Sequence, residues 1–223
     1  MRLRHIAKAE PFILESEFVE HDPAGCKGRW KERFGNDHPL HIEIGTGKGQ
    51  FIMALAEQNP DINYIGIEKA DSVLYKALLK QHEKRLPNLL MLWVYADALP
   101  DIFDENEVER IYLNFSDPWP KDRHADRRLT SHKYLDLYRK FLKQTHTENE
   151  TAALPLTGRI EFKTDNAALF DYSLESAASA GWTVKEITRD LHHSEYAAGN
   201  IMTEYEQRFS AEGNPICRAV FEP

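Results

Sequence analysis

With 223 residues, 42% of them hydrophobic, the chain is long enough to bury one full core and is read as a single domain, 1–223. Its formal charge of −8 excludes a protein coated in basic residues, although it leaves room for a local basic patch. The two cysteines, Cys26 and Cys217, are far apart and form no Cys-x-x-Cys pair, which excludes a disulfide framework and a zinc knuckle; no metal site is expected. No run approaches the ~18 uncharged apolar residues of a membrane span, and the basic start Met1–His5 leads into Lys8, Glu10 and Pro11 rather than an apolar core, so a soluble, cytoplasmic protein with no membrane partner is expected.

Residues 1–38 mix charges with Pro11, Pro23, Gly25 and Gly28 and read as an N-terminal arm, with a short helix around Gly28–Phe34. From Leu40 the elements alternate. A strand to Ile44 is followed by a helix over Gln50–Gln58, a strand over 62–68, a helix over 70–84 and a strand over 89–96. A strand over 110–116, a helix over 131–143, a strand over 159–164 and a helix over 167–180 follow, the last closing at Gly181. Alternation of this kind predicts an α/β fold with a mostly parallel central sheet and helices on both faces. The tail reads as three strands, Trp182–Thr188, Glu204–Phe209 and Cys217–Phe221, and so as an antiparallel addition at the C-terminus. Residues 145–157 are polar and read as a surface insertion.

The turn after the first strand carries Glu43-Ile44-Gly45-Thr46-Gly47-Lys48-Gly49. Alternating glycines let backbone N–H groups approach a ligand closely. A dinucleotide fingerprint needs a third glycine at position 50, which is Gln50, and a phosphate-cradling loop needs Ser or Thr after Lys48, which is Gly49. What remains, an acid followed by Gly45, Gly47 and Gly49, resembles motif I of S-adenosylmethionine-dependent methyltransferases with a Rossmann-like fold; a tight turn that only happens to use glycines is the alternative. Glu68, at the tip of the second strand about 20 residues beyond the glycines, is where a nucleoside ribose presents its hydroxyls, and a carboxylate accepts both.

Glu43, Glu68, Asp97, Asp117 and Asp165 each fall at or just past the end of a predicted strand. In open α/β sheets ligands sit beyond those ends, so the five acids outline a cleft. Asp117-Pro118-Trp119-Pro120 is stiffened by two prolines, which fixes a carboxylate and an aromatic ring at its mouth, a pair suited to a purine base; a Pro-stiffened turn over a core Trp is the alternative. From Lys121 to Lys133, five Lys or Arg stand against two Asp in an otherwise acidic chain, which reads either as a phosphate-backbone contact or as a solvated charged loop.

Taken with Phe34-Gly35-Asn36, Asn114-Phe115-Ser116-Asp117-Pro118-Trp119-Pro120-Lys121, Arg127-Arg128-Leu129, Phe162-Lys163-Thr164-Asp165-Asn166 and Asn200–Glu206, these motifs resemble the bacterial tRNA (guanine-N7)-methyltransferases of the TrmB type, from about Arg2 to Phe221. The resemblance implies a Rossmann-like class I methyltransferase with S-adenosylmethionine as donor, no metal, and tRNA as partner. Its acceptor would be the guanine of the variable loop, conventionally position 46. It further implies that Glu43, Gly45, Gly47, Gly49, Glu68, Asp97 and Asp117 meet the cofactor, and that Asp117 is the catalytic acid. Lys121, Asp165, Thr203, Glu204, Tyr205 and Glu206 would form the substrate pocket, and Arg123, His124, Ala125, Asp126, Arg127 and Arg128 would contact RNA. The chain departs from the family at Asp126, where a basic residue is usual, and at the longer 145–157 connection. Two other readings compete. An RNA-binding module without catalysis would have no need of Glu43 and Asp117, and a small-molecule methyltransferase would have no use for Arg123, Arg127 and Arg128.

Overall fold

The computed structural model describes residues 6–144 and 157–223. Seven strands, β1 (Leu40–Ile44), β2 (Asn63–Ile67), β3 (Leu89–Leu92), β4 (Arg110–Asn114), β5 (Arg159–Thr164), β6 (Thr183–Thr188) and β7 (Cys217–Glu222), form one sheet in the order β3-β2-β1-β4-β5-β7-β6. The first five run parallel, and β7 is antiparallel to both β5 and β6. β1, β2 and β3 are buried at every position, as parallel strands covered on both faces must be. The edge strand β6 alternates exposed and half-buried residues.

Apolar helix faces close both sides. On one side α1 (Ala9–Glu15), α3 (Gln50–Gln58) and α4 (Asp71–Lys84) bury Ile13, Ile52, Met53, Leu74 and Leu78 against Tyr64 and Met91. On the other, α5 (Leu99–Ile102), α6 (His132–Arg139) and α7 (Ala167–Ser179) bury Ile102, Leu135, Tyr138 and Phe170 against Ile111, Phe162 and Phe221. Each such side chain contributes about 1.5–3 kcal/mol by leaving water. Within the first 38 residues, α1 packs along α4, Val19 bridges Met91 in parallel beside β3, and α2 (Trp30–Phe34) seats a buried Trp30 whose indole N–H donates to the Ile102 carbonyl. The Phe34-Gly35-Asn36 motif ends α2: Gly35 takes a positive φ of 71° as its cap, and Asn36 Oδ1 accepts from His38 N and from Asn63 Nδ2.

Three expected elements are shortened, each for a local reason. β3 stops at Leu92 because its partner Ile67 is the last residue of β2, so the chain beyond has nothing to pair with. β4 stops at Asn114 because Phe115 turns to a φ of +52°. α6 stops at Arg139 because Leu142 bridges Val108 beside β4, which carries the apolar pair Phe141 and Leu142 into the core without a helix. One expectation is overturned: Glu204–Phe209 lies within a helix, α8 (Glu204–Ala211), not a strand. Thr203 caps it, its hydroxyl oxygen accepting from Glu206 N at 2.9 Å, and two acids sit in its first turn. The expected insertion, Thr157 excepted, lies outside the described residues, as do Arg2 and Arg4.

Candidate active site

The strand order reverses direction between β1 and β4, and the loops that follow these two strands form the centre of the cleft. After β1 the chain turns through Gly45, Gly47 and Gly49, all with positive φ. A Cβ at Gly49 would lie 2.9 Å from Met53 Cε and 3.1 Å from Ala77 Cβ, so that glycine lets the loop pack onto α3 and α4. Gly47 instead has nothing within 4 Å of where a Cβ would be; its open side faces a space a ligand can take.

Glu43 is 2% exposed at the root of this loop. Its Oε2 accepts from Thr46 Oγ1 at 2.6 Å and its Oε1 from Asn114 Nδ2 at 2.8 Å, which ties the glycine loop to the end of β4. Burial pushes its carboxyl up to about 7, with the two hydrogen bonds and the Lys163 charge pulling the other way. Glu68 braces the loop from β2: its Oε2 accepts from Gly47 N at 3.1 Å and its Oε1 from Ala70 N at 2.9 Å. Asp97, in a single helical turn at Ala96–Ala98, accepts from Lys133 Nζ and, at 3.1 Å, from the Tyr134 hydroxyl. The Lys133 hydrogen bond holds its carboxyl below the usual carboxylate range.

Asp117 projects from the loop after β4 with 71% of its side chain exposed and Lys69 Nζ 4.0 Å away. Phe115 and Trp119 on either side hold φ of +52° and +41°, a left-handed conformation that side chains other than glycine rarely adopt. Arg128 fixes this turn. It is 9% exposed, donates from Nε to the Pro118 carbonyl at 3.1 Å and from Nη2 to the Trp119 carbonyl at 3.0 Å, and stacks on Tyr172 of α7 at 4.2 Å. Arg128 is therefore turned inward, away from the exposed Lys121, Arg123 and Arg127. Lys121 precedes the helical turn Asp122–Arg127 and the two arginines lie within it; Arg127 lies over the Trp119 ring at 5.1 Å and His124 packs against the same ring at 5.8 Å. The Ala125 carbonyl accepts from the Tyr172 hydroxyl, and Asp126 is exposed at the cleft rim.

The cleft has two chambers. One, of about 610 Å³, is walled by Ile67, Val94 and Leu129 and rimmed by Glu68, Asp97 and Asp117. The other, of about 330 Å³, lies between Glu43, the glycine loop and α8, with Thr203, Glu204 and Tyr205 on its wall. Gly45, Asn114 and Phe115 line both chambers, so the two meet there. Glu204 is held by Lys48 Nζ at 2.6 Å and Lys80 Nζ at 2.8 Å, and Asp165 Oδ2 accepts from the Tyr205 hydroxyl at 3.1 Å. Glu206 is fully buried away from both chambers, paired with Lys163. A large chamber with apolar walls and rim carboxylates, beside glycines whose open side faces free space, fits a nucleoside carrying a cationic amino-acid tail. Among the described residues no group of three or more His, Cys, Asp or Glu is placed to hold a metal ion, and no helix is long and apolar enough to cross a membrane.

Residues 37–219 match a protein family described as "Putative methyltransferase". The chain is 54% identical over 220 residues to a tRNA (guanine-N(7)-)-methyltransferase of Lachnoclostridium phytofermentans, covering 99% of this chain and 97% of that one. The Bacillus subtilis tRNA (guanine-N(7)-)-methyltransferase is 48% identical, with 100% and 99% covered. This chain belongs to the tRNA (guanine-N(7)-)-methyltransferase family. The fold is shared more widely: the 16S rRNA methyltransferase KamB superposes with a TM-score of 0.60 at 15% identity, over 88% of this chain and 94% of that one.

Membership of the family makes the chain an S-adenosylmethionine-dependent methyltransferase, and several residues of its site carry no signal of their own in the sequence. Asn114 and Thr46 matter only because Glu43 reaches both. Lys163 sits inside a recognisable motif, yet its partner Glu206 is distant in sequence. The one available signal was Thr203 followed three residues later by Glu206, the spacing of a capping box, which marks the start of α8.

Proposed function

We propose that this enzyme transfers the methyl group of S-adenosylmethionine to N7 of guanine in tRNA, at position 46 of the variable loop, in the cytoplasm. The observation that carries the reading is the placement of Asp117: a carboxylate on a strained, Arg128-clamped turn, at the rim of one chamber and two residues from the point where both meet.

Glu68 and Asp97 would hold the nucleoside end of the cofactor in the larger chamber, and Glu43 with Gly45, Gly47 and Gly49 its amino-acid end. Bound there, the cofactor supplies an electrophilic methyl group on a sulfonium. Guanine N7 carries an in-plane lone pair and no proton, so no residue need act as a strong general base. The work of the protein is to align the reacting atoms and to stabilise the positive charge that appears on the purine, for which Asp117 offers an exposed carboxylate at the chamber rim. Lys121, Asp165, Thr203 and Glu204 would surround the base, on the side of the chamber where α8 carries Tyr205, with Glu206 acting from behind through α8. Arg123, His124 and Arg127 would meet phosphates on the side of the cleft where the basic turn lies.

The deciding experiment incubates the protein with labelled S-adenosylmethionine and unmodified tRNA, then identifies the nucleoside formed. The expected product is 7-methylguanosine from the variable loop, lost when guanine 46 is replaced by adenine. Label on another atom, another position or no RNA at all would sink the reading.

A further inference from the structure

Where the two chambers meet, the aromatic surface on offer is the ring of Phe115, and that surface is already covered. Tyr205 of α8 lies with its ring centroid 4.9 Å from that of Phe115, tilted by 42°. Phe209 stacks on Tyr205 at 4.1 Å and 15°, and the Tyr205 hydroxyl donates to Asp165 Oδ2 at 3.1 Å. A base slid between Phe115 and Tyr205 would need the rings about 7 Å apart, two van der Waals contacts of ~3.5 Å, so the gap is shut. Yet the residue that shuts it is 38% exposed, with solvent into which it can swing.

The two contacts Tyr205 makes are those a guanine would make in the same place. It packs its ring, tilted, against Phe115 and points a donor at a carboxylate, and guanine offers a ring face together with N1–H and N2–H donors on its Watson–Crick edge. We propose that Tyr205 is an internal stand-in for the target guanine: it fills the base slot on Phe115 and Asp165 in the free enzyme and is displaced when the RNA base enters. This rests on guanine being the acceptor. What moves is the side chain rather than the helix, because Glu206, the next residue, is pinned through Oε2 to Lys163 Nζ at 2.7 Å and through Oε1 to Asn200 Nδ2 at 2.7 Å. The arrangement also sets a selectivity. A base must outcompete an internal donor for Asp165, and adenine, whose N1 is an acceptor, presents a repulsive atom where guanine presents N1–H.

The test is titration of guanosine and adenosine into wild type, Tyr205→Phe and Tyr205→Ala, each saturated with S-adenosylhomocysteine. Tyr205→Phe keeps the ring stack and removes only the donor to Asp165; it should bind guanosine about threefold more tightly than wild type, and Tyr205→Ala about tenfold. Adding Asp165→Asn to Tyr205→Ala should bring guanosine down to the level of adenosine. Weaker guanosine binding by both single variants would make Tyr205 a direct contact of the base, and unchanged binding would leave it no part in the slot; either result overturns the proposal. Melting temperatures accompany each titration, and Tyr205→Phe carries the result if Tyr205→Ala loosens α8. A wild-type enzyme that forms no 7-methylguanosine in tRNA sinks the functional reading, whereas one that forms it while Tyr205→Phe binds guanosine no better sinks only the stand-in.

Discussion

Lys163 of β5 and Glu206 of α8 form an ion pair of 2.7 Å with side chains only 5% and 0% exposed. It fastens the helix of the smaller chamber to the sheet. Lys163 Nζ also donates to Asn200 Oδ1 and the Ile201 carbonyl, so one ammonium gathers three parts of the chain.

Removing one member of a buried pair leaves a bare charge, which costs about 3–5 kcal/mol. Lys163→Met is expected to lose that much stability in urea unfolding, and Lys163→Met with Glu206→Met to regain most of it. A double variant no more stable than the single one would show that the pair is not the source of the loss.

The inward turn of Arg128 separates two kinds of arginine. Arg123→Ala with Arg127→Ala should flatten the slope of log affinity for tRNA against log salt by about 1–2 units, as lost counterion release requires. Arg128→Ala should leave that slope unchanged and lower kcat, because its charge is spent on the Pro118 and Trp119 carbonyls. Equal slopes for wild type and the double variant would leave the basic turn a solvated surface.

Asp117→Asn keeps the shape but replaces an acceptor with a donor and removes the charge. A fall in kcat/KM of about 10²-fold or more is expected, with a far smaller change in tRNA affinity. Because N7 carries no proton to remove, single-turnover rates of the wild type should show no acid-side fall attributable to protonation of a general base between pH 6 and 8. An Asn variant with near-normal chemistry would move the search to Asp165 or Glu204.

Burial pushes the Glu43 carboxyl up to about 7 in the folded protein, against a reference of 4.5. Between those values the unfolded chain releases a proton that the folded one retains, so this group's contribution to stability declines as pH rises through that window and levels off above it. Glu43→Gln has no such decline. Unfolding free energies at pH 5, 6, 7 and 8 should move in favour of the variant up to pH 7 and then run parallel; parallel curves throughout would mean that Glu43 ionises normally.

The alternation of strands and helices and the position of the cleft were legible because period and alternation are local: apolar β1 and β2 end at acids, and the glycines follow β1 at once. The identity of α8 was not, because Tyr205 and Phe209 also fit an alternating pattern, and only the Thr203 cap decides for a helix. Arg128 read as one more cation of a basic run. Its burial depends on Tyr172, which lies on α7 and comes to it only in the folded chain. Glu206 read as a pocket residue for a similar reason, since nothing near it in sequence announces Lys163.

Phe115 and Trp119, held left-handed on either side of Asp117, also bear on how this enzyme can evolve. Such a conformation costs on the order of 1–3 kcal/mol per residue, and glycine would relieve it while giving back only about 0.5–1 kcal/mol in chain freedom. A population selected for heat resistance alone would therefore drift toward glycine at both positions, surrendering the ring that Tyr205 covers and the ring that Arg127 lies across. Two aromatics held in so unfavourable a backbone mean that this turn gives up stability to keep its two rings where they are.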